Sequence, residues 1–373
     1  LSLAGLYRYN DALKLLLHTQ QQELPPGLDE VLLRLKVQLL LEMHKYEAAV
    51  PLLKPAVTEQ QGWALWALFR IRYERGDMQS CAAFLAEPSE ELARYPERRE
   101  LWQLYFAIKA ADFAKAARIA HQIPYVTMSA KMVRLVHLVF VEAGENDIGI
   151  EFIERKRRLA VRGDLYVQLT SAQIRTMLRE MRTCQDPEHK AKLAEQIQHL
   201  LDLVKQDKKS EDHQLSIALL QTTFILLKDS RSAAMAFWKR HMALAEEEKS
   251  IPVLSHAAIL MSMLGEDQQA TDFLFRANRA FSHQLDNSHR VFCSCIHQYA
   301  FQRVVPAEKR ADTYIRFAEQ HLSFNENMPA AKMLLSAWQL KPGDHELQQR
   351  LYSLLRQMGM PRFRGIIVPA QPQ

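Results

Sequence analysis

Lys45-Tyr46-Glu47-Ala48-Ala49 opens a stretch that runs on through Leu53 and Ala56. A large residue, Tyr46, stands three positions before a small one, Ala49. A large apolar residue, Leu53, follows four later, and a second small one, Ala56, three after that. Steps of three and four place all of them on one face of a helix. The same pattern starts at Tyr9 with Ala12 and Leu16, at Met78 with Cys81 and Leu85, at Phe113 with Ala116 and Ala120, and at Asn146 with Gly149 and Ile153. The anchors at 9, 46, 78, 113 and 146 are therefore 37, 32, 35 and 33 residues apart. A period of about 34 residues marks a repeat protein built from helix pairs.

Each unit follows from simple physics. One helix ends at a short turn such as Arg75-Gly76-Asp77 or Ala143-Gly144-Glu145-Asn146-Asp147, where glycine takes the left-handed conformation that stops a helix. The next helix packs back, and its small residue lets the two backbones approach. A lone pair cannot bury its apolar face, so neighbours must stack. Past residue 160 the pattern weakens. Two charged helices are expected at about Ser171–Arg182 and Pro187–Lys208, ending in Lys205-Gln206-Asp207-Lys208-Lys209-Ser210-Glu211-Asp212, which reads as an exposed linker. The repeat returns at Asp229-Ser230-Arg231 with Ala234 and Trp238, at Gly265-Glu266-Asp267 with Ala270, Leu274 and Ala277, and at Ala330, Leu334, Ala337 and Pro342.

These residues resemble the tetratricopeptide repeat (TPR): Gly76, Tyr46, Ala49, Ala116 and Ala56 match its second helix and turn, while the small residue expected in the first helix is replaced by Val37, Phe69, Leu104 and His137. The resemblance implies an all-α fold, a right-handed superhelical solenoid of antiparallel, degenerate TPR helix pairs, with about eighteen helices at two per repeat. The expected layout is N-terminal repeats over 1–160, an irregular charged helical insert over 161–212, C-terminal repeats with a capping helix over 213–359, and an irregular tail over 360–373. Tyr9-Asn10-Asp11-Ala12-Leu13 and the unit from Leu39 to Ala49 are similar to the TPR region that follows the receiver domain in certain bacterial response regulators. That likeness implies a cytoplasmic role in signal transduction. The chain begins at Leu1, which reads as a fragment whose N-terminal part lies elsewhere and whose first repeat presents a face for self-association.

Composition agrees with a folded helical protein. Of 373 residues, 48% are apolar and 24% charged, and only 11 are Gly. Lys plus Arg number 48 and Asp plus Glu 43, so the net charge of +5 gives only a slight preference for anionic partners. Cys81, Cys184, Cys293 and Cys295 include no C-x-x-C pair and are too sparse for a disulfide framework. No stretch approaches about 18 uncharged apolar residues, so no membrane span is expected.

Catalytic signatures are missing. There is no phosphate-binding G-x-x-x-x-G-K-[ST] loop, no G-x-G-x-x-G, no H-E-x-x-H and no G-x-S-x-G. A non-enzymatic chain without a cofactor is the expectation. His283, His289, Cys293, Cys295 and His297 lie close in sequence, and His289, Cys293 and His297 share one helical face, as three zinc ligands would. The competing reading is a buried Cys293 with histidines at the solvent edge. Arg155-Lys156-Arg157-Arg158 lacks interleaved aromatics and fits a solvated helix end, while the alternative reading is a nucleic-acid-binding regulatory protein that uses a basic helical surface.

The partner expected is a protein or peptide with acidic and apolar residues, held along the first helices of the pairs. Counting back from the turns gives the candidate groove: Arg34, Gln38 and Glu42; Trp63, Trp66, Arg70 and Tyr73; Arg98, Leu101, Tyr105 and Lys109; Lys131, Arg134 and Leu138. Trp, Tyr and Arg are the residue types that dominate binding hot spots. The Trp63–Trp66 pair fits either the groove or the packing between repeats. The asparagines of the chaperone-binding carboxylate clamp are absent.

Overall fold

A computed structural model describes residues 9–19, 28–43, 45–75, 77–86, 96–124, 128–159, 163–207, 213–280, 287–360, 362–363 and 366–367. Nineteen α-helices occur among them. They are α1 (Tyr9–Thr19), α2 (Leu28–Glu42), α3 (Tyr46–Thr58), α4 (Gly62–Glu74), α5 (Met78–Ala86), α6 (Pro96–Lys109), α7 (Phe113–Gln122), α8 (Ala130–Glu142), α9 (Asn146–Leu159), α10 (Asp164–Thr183), α11 (Pro187–Gln206), α12 (Gln214–Lys228), α13 (Arg231–His241), α14 (Ile251–Met263), α15 (Asp267–Ala280), α16 (Asn287–Val304), α17 (Arg310–Ser323), α18 (Asn327–Leu340) and α19 (His345–Gln357). The fold is all-α, a TPR-like array of helix pairs. No described helix is long and apolar enough to cross a membrane.

Five of the described turns between pair members share one hydrogen-bond pattern. The amide of Lys45 bonds the carbonyl of Leu40, and the same five-residue reach joins Asp77 to Arg72, Asp112 to Ala107, Glu145 to Phe140 and Glu266 to Met261. This is the closure that satisfies a helix's last carbonyls when the chain turns left-handed. Gly144 (φ +87°) and Gly265 (φ +71°) supply that conformation, and Ala111 (φ 56°) adopts it without glycine's freedom. At Gly265 a Cβ would meet the Arg231 guanidinium at 2.8 Å. Helix starts are capped by side chains: Asp112 accepts from the Lys115 amide, Ser129 from Met132, Ser230 from Ala233 and Asp344 from Leu347.

The small residues of the repeat lie in the helix seams. Ala49, Cys81, Ala116, Ala234, Ala270 and Ala330 are fully buried. The large first-helix residues that depart from the TPR pattern, Val37, Phe69, Leu104 and His137, are buried too. On α9 the seam takes Gly149, where a Cβ would approach Val141 at 3.2 Å and His137 at 3.4 Å. A bulky first helix is thus matched by the smallest residue on the second.

The chain divides into two compact units, Leu1–Arg99 with Asn325–Gln373, and Glu100–Phe324. In the first, Val37, Leu40, Leu41, Ala49, Leu53, Ala56, Ala64 and Ile71 form one core. Lys332 on α18 reaches Glu74 on α4 at 3.7 Å. The tail, expected to be irregular, carries a short antiparallel ladder pairing Arg362 with Ile367 and Phe363 with Ile366.

In the second unit, the segment read as a charged insert forms the 20-residue helices α10 and α11, longer at the first than expected. Asp186 caps α11 and Pro187 occupies its first turn. Ile174, Met177, Leu178 and Met181 meet Leu193, Ile197, Leu200 and Val204, with Ile217, Leu220 and Phe224 of α12 completing the cluster. The seam is filled by Leu and Ile rather than Ala or Gly. Residues 208–212 of the expected linker lie outside the described residues.

Arg70 and Glu42 form a nearly buried ion pair at 2.9 Å between α4 and α2. Arg75 and Glu47 form an exposed one at 2.6 Å. Removing one partner of a buried pair leaves the other charge in surroundings of low dielectric. Arg70→Met should therefore cost about 3 kcal/mol in urea unfolding, and Arg75→Met less than about 1 kcal/mol.

Candidate binding cavity

In the second unit the first helices of successive pairs, α8, α10, α12, α14 and α16, surround a cavity of about 730 Å³. That size is within the range of pockets that enclose drug-sized ligands. The ring closes because α16 packs back onto α8. Glu142, the last residue of α8, accepts the Tyr299 hydroxyl at 2.8 Å and the Arg303 guanidinium at 2.8 Å, both from α16, and also pairs with Arg179 of α10. Its side chain is 6% exposed. Gln302 adds bonds to the carbonyls of Ile108 and Lys109 at the end of α6, carbonyls that a helix end leaves open. Burial, then the Glu142 charge, pushes Tyr299 up to about 12, so it stays a neutral donor.

The walls combine apolar and cationic surface. Ile251, Ile259, Met263, Phe292 and Ile296 give the apolar part. Arg134, Arg175, Arg179, Arg182 and Arg303 give the cationic part, and Glu142 is the one acid among the described lining residues. Arg134 donates to Gln168 at 2.9 Å and lies over the Phe292 ring at 5.4 Å. His137 bonds the Thr176 hydroxyl at 2.5 Å. Burial, then the Arg175 charge, pushes both His137 and His256 down to about 3, so both are neutral near pH 7. Outside the cavity lining, burial takes His297 down to about 4.

Of the groove residues expected from sequence, Arg134 and Leu138 line this cavity. Tyr105 and Lys109 belong to the same unit on α6: Tyr105 packs edge-on to Trp102 at 5.5 Å, and Lys109 is exposed. Lys131 is on α8 and Arg98 on α6, but their side chains lie outside the described residues. Arg34, Gln38, Trp63, Trp66, Arg70 and Tyr73 belong to the first unit. There Arg34 sits over the Trp63 ring at 5.3 Å and pairs with Glu30, while Gln38 is exposed. Trp63 donates to Gln61 at 2.7 Å and is half-buried. Trp66 is core, edge-on to Phe69 at 5.4 Å and Phe84 at 5.3 Å. Arg70 is held by Glu42, and Tyr73 is half-buried.

Sequence reasoning missed the lining from α10, α12, α14 and α16. The one available signal was the helical spacing of Arg175, Arg179 and Arg182, which reads equally well as a solvated face.

Cys293 is buried and His297 bonds the Leu274 carbonyl at 3.2 Å, while the side chains of His283 and His289 lie outside the described residues. Among the described residues no group of three His, Cys, Asp or Glu is placed to hold a metal ion. In the basic block, Lys156 reaches the Met128 carbonyl at 3.4 Å and Arg158 pairs with Glu154 at 3.7 Å.

No protein-family model and no curated protein matches the chain. Among solved structures, one of Naa15/Naa10 bound to HypK-THB aligns with 94% of this chain and 66% of its own, at 11% identity and a TM-score of 0.29. The TPR domain of P58(IPK) aligns over 95% and 96%, at 15% identity and a TM-score of 0.23. The chain thus spans slightly under two thirds of the first of these structures.

The buried histidines set a pH dependence. Their folded pKa values lie below the ordinary 6.5, so below that pH the unfolded chain binds more protons and stability falls as pH falls. The window runs from about 6.5 down to about 4 for His297 and to about 3 for His137 and His256. Denaturant unfolding at pH 7 and pH 5 should show a loss on the order of 1–2 kcal/mol per buried histidine. His256→Gln should flatten that slope.

Proposed function

We propose that this chain is a non-catalytic protein-interaction array that receives a segment of a partner protein in the cavity of its second unit. The observation that carries the reading is the lining: five arginines and apolar side chains from the first helices of successive pairs, with a single acid among them. Such a wall favours a segment with acidic and apolar residues. The acids gain charge-assisted hydrogen bonds, and the arginines speed association through long-range attraction. The repeat residues from Leu39 to Ala49, which resemble the TPR region of receiver-domain response regulators, support a place in bacterial signal transduction, with the chain as a docking part of a longer cytoplasmic regulator.

A random peptide display library selected on the full chain tests this. Enriched peptides should carry Asp or Glu beside apolar residues. Their affinity should fall at least about tenfold for a folded Arg134→Glu variant, as expected when a buried cation is reversed. Selection of neutral or basic peptides, or equal affinity for the variant, would contradict the cavity as the docking place.

A further inference from the structure

We propose that Arg175, backed by Arg134, forms a subsite for a phosphate monoester dianion inside the cavity of the second unit. This goes beyond docking of a partner segment and holds for a free phosphate ester as well as for a phosphorylated side chain.

The argument starts from an unneutralised cation. Arg175 borders the cavity, is otherwise enclosed by protein, and has no hydrogen bond or ion pair to any described residue. A guanidinium held away from bulk water without a counter-ion is unfavourable, and proteins normally pair it. Burial, with the repulsion of Arg134 added, pushes Arg175 down to about 9. Arg134 reinforces the imbalance. It bonds the neutral Gln168 and stacks on Phe292, and no described carboxylate lies within ion-pair distance of it. The acid among the described lining residues, Glu142, is already shared between Arg179 and Arg303.

Asp164 acts on Arg134 only from beyond ion-pair distance, so two adjacent cations with no described acid in contact favour a ligand with two negative charges. A phosphate monoester carries about −1.5 to −2 near pH 7, whereas one carboxylate would leave a cation uncompensated. The guanidinium fork also matches phosphate oxygens in a two-point bond. Beside it stand His137 and His256, neutral near pH 7 and able to donate N–H bonds. Ile251, Ile259 and Ile296 offer an apolar wall for the organic part of the ester.

Calorimetric titration of the full chain with phenyl phosphate, inorganic phosphate and benzoate tests the assignment, with thermal unfolding run alongside. Phenyl phosphate should bind at least about tenfold more tightly than benzoate. Arg175→Met should lose that binding, while its melting temperature without ligand should equal or exceed that of the parent, because an unpaired charge has been removed. Arg175→Lys, which keeps the charge without the fork, should weaken binding, and Arg182→Met at the exposed rim should change it less than about twofold. Phenyl phosphate binding that matches benzoate, or survives in Arg175→Met, overturns the subsite. So does an unliganded Arg175→Met that melts well below the parent, since Arg175 would then be a structural cation. Inorganic phosphate that binds as tightly as phenyl phosphate retains the subsite and identifies the phosphate group itself as the ligand. Acidic peptides binding an Arg175→Met protein that no longer binds phosphate would leave the docking reading intact while phosphate binding alone depended on Arg175.

Discussion

Glu142 is the carboxylate on which the second unit turns. A chain of stacked helix pairs has no intrinsic reason to close, yet here α16 returns to α8 across 157 residues of sequence from Tyr299 to Glu142. The contact joins Arg179, Tyr299 and Arg303 around one nearly buried acid. In surroundings of low dielectric such a network is favourable only when its members are satisfied, and one missing partner leaves the rest buried and charged. Closure turns a concave face into a cavity open at its rim. It also fixes the electrostatics within, because Glu142 is spent on the ring and offers nothing to Arg175.

The cavity therefore holds an imbalance that its own residues do not resolve. Burial lowers both arginines, Arg134 adds to the lowering of Arg175, and burial with the Arg175 charge lowers His137 and His256, so neutral imidazoles stand beside cations. Folding tolerates this because the helices around it are tied by other means: the α10–α11–α12 cluster, the recurrent turn closures and the small-residue seams. Ligand charge would relieve the imbalance, which couples occupancy of the cavity to stability of the unit.

Much of the scaffold was legible from sequence because it rests on local rules. Ala49, Cys81, Ala116 and Gly149 announced the seams, and Gly144 and Gly265 announced the turns. Reading stopped where those rules stop. The α11 seam uses Leu193 and Ile197, so periodicity gave no small residue to find. The cavity was invisible for a different reason. A helix whose polar face meets a cavity has the same pattern as one whose polar face meets water, and only tertiary closure distinguishes them. Arg175, Arg179 and Arg182 thus have the spacing that a solvated stripe would also show. Trp66 shows the converse: a hot-spot residue type by composition, it is packed between Phe69 and Phe84.

Hydrogen exchange of the parent and of Glu142→Gln, compared helix by helix, tests ring closure most directly. The account predicts faster exchange concentrated in α16 and the C-terminal end of α8, with the first unit unchanged, because the lost carboxylate frees Tyr299, Arg303 and Arg179 together. Exchange that stays the same in α16, or rises evenly along the whole chain, would contradict it.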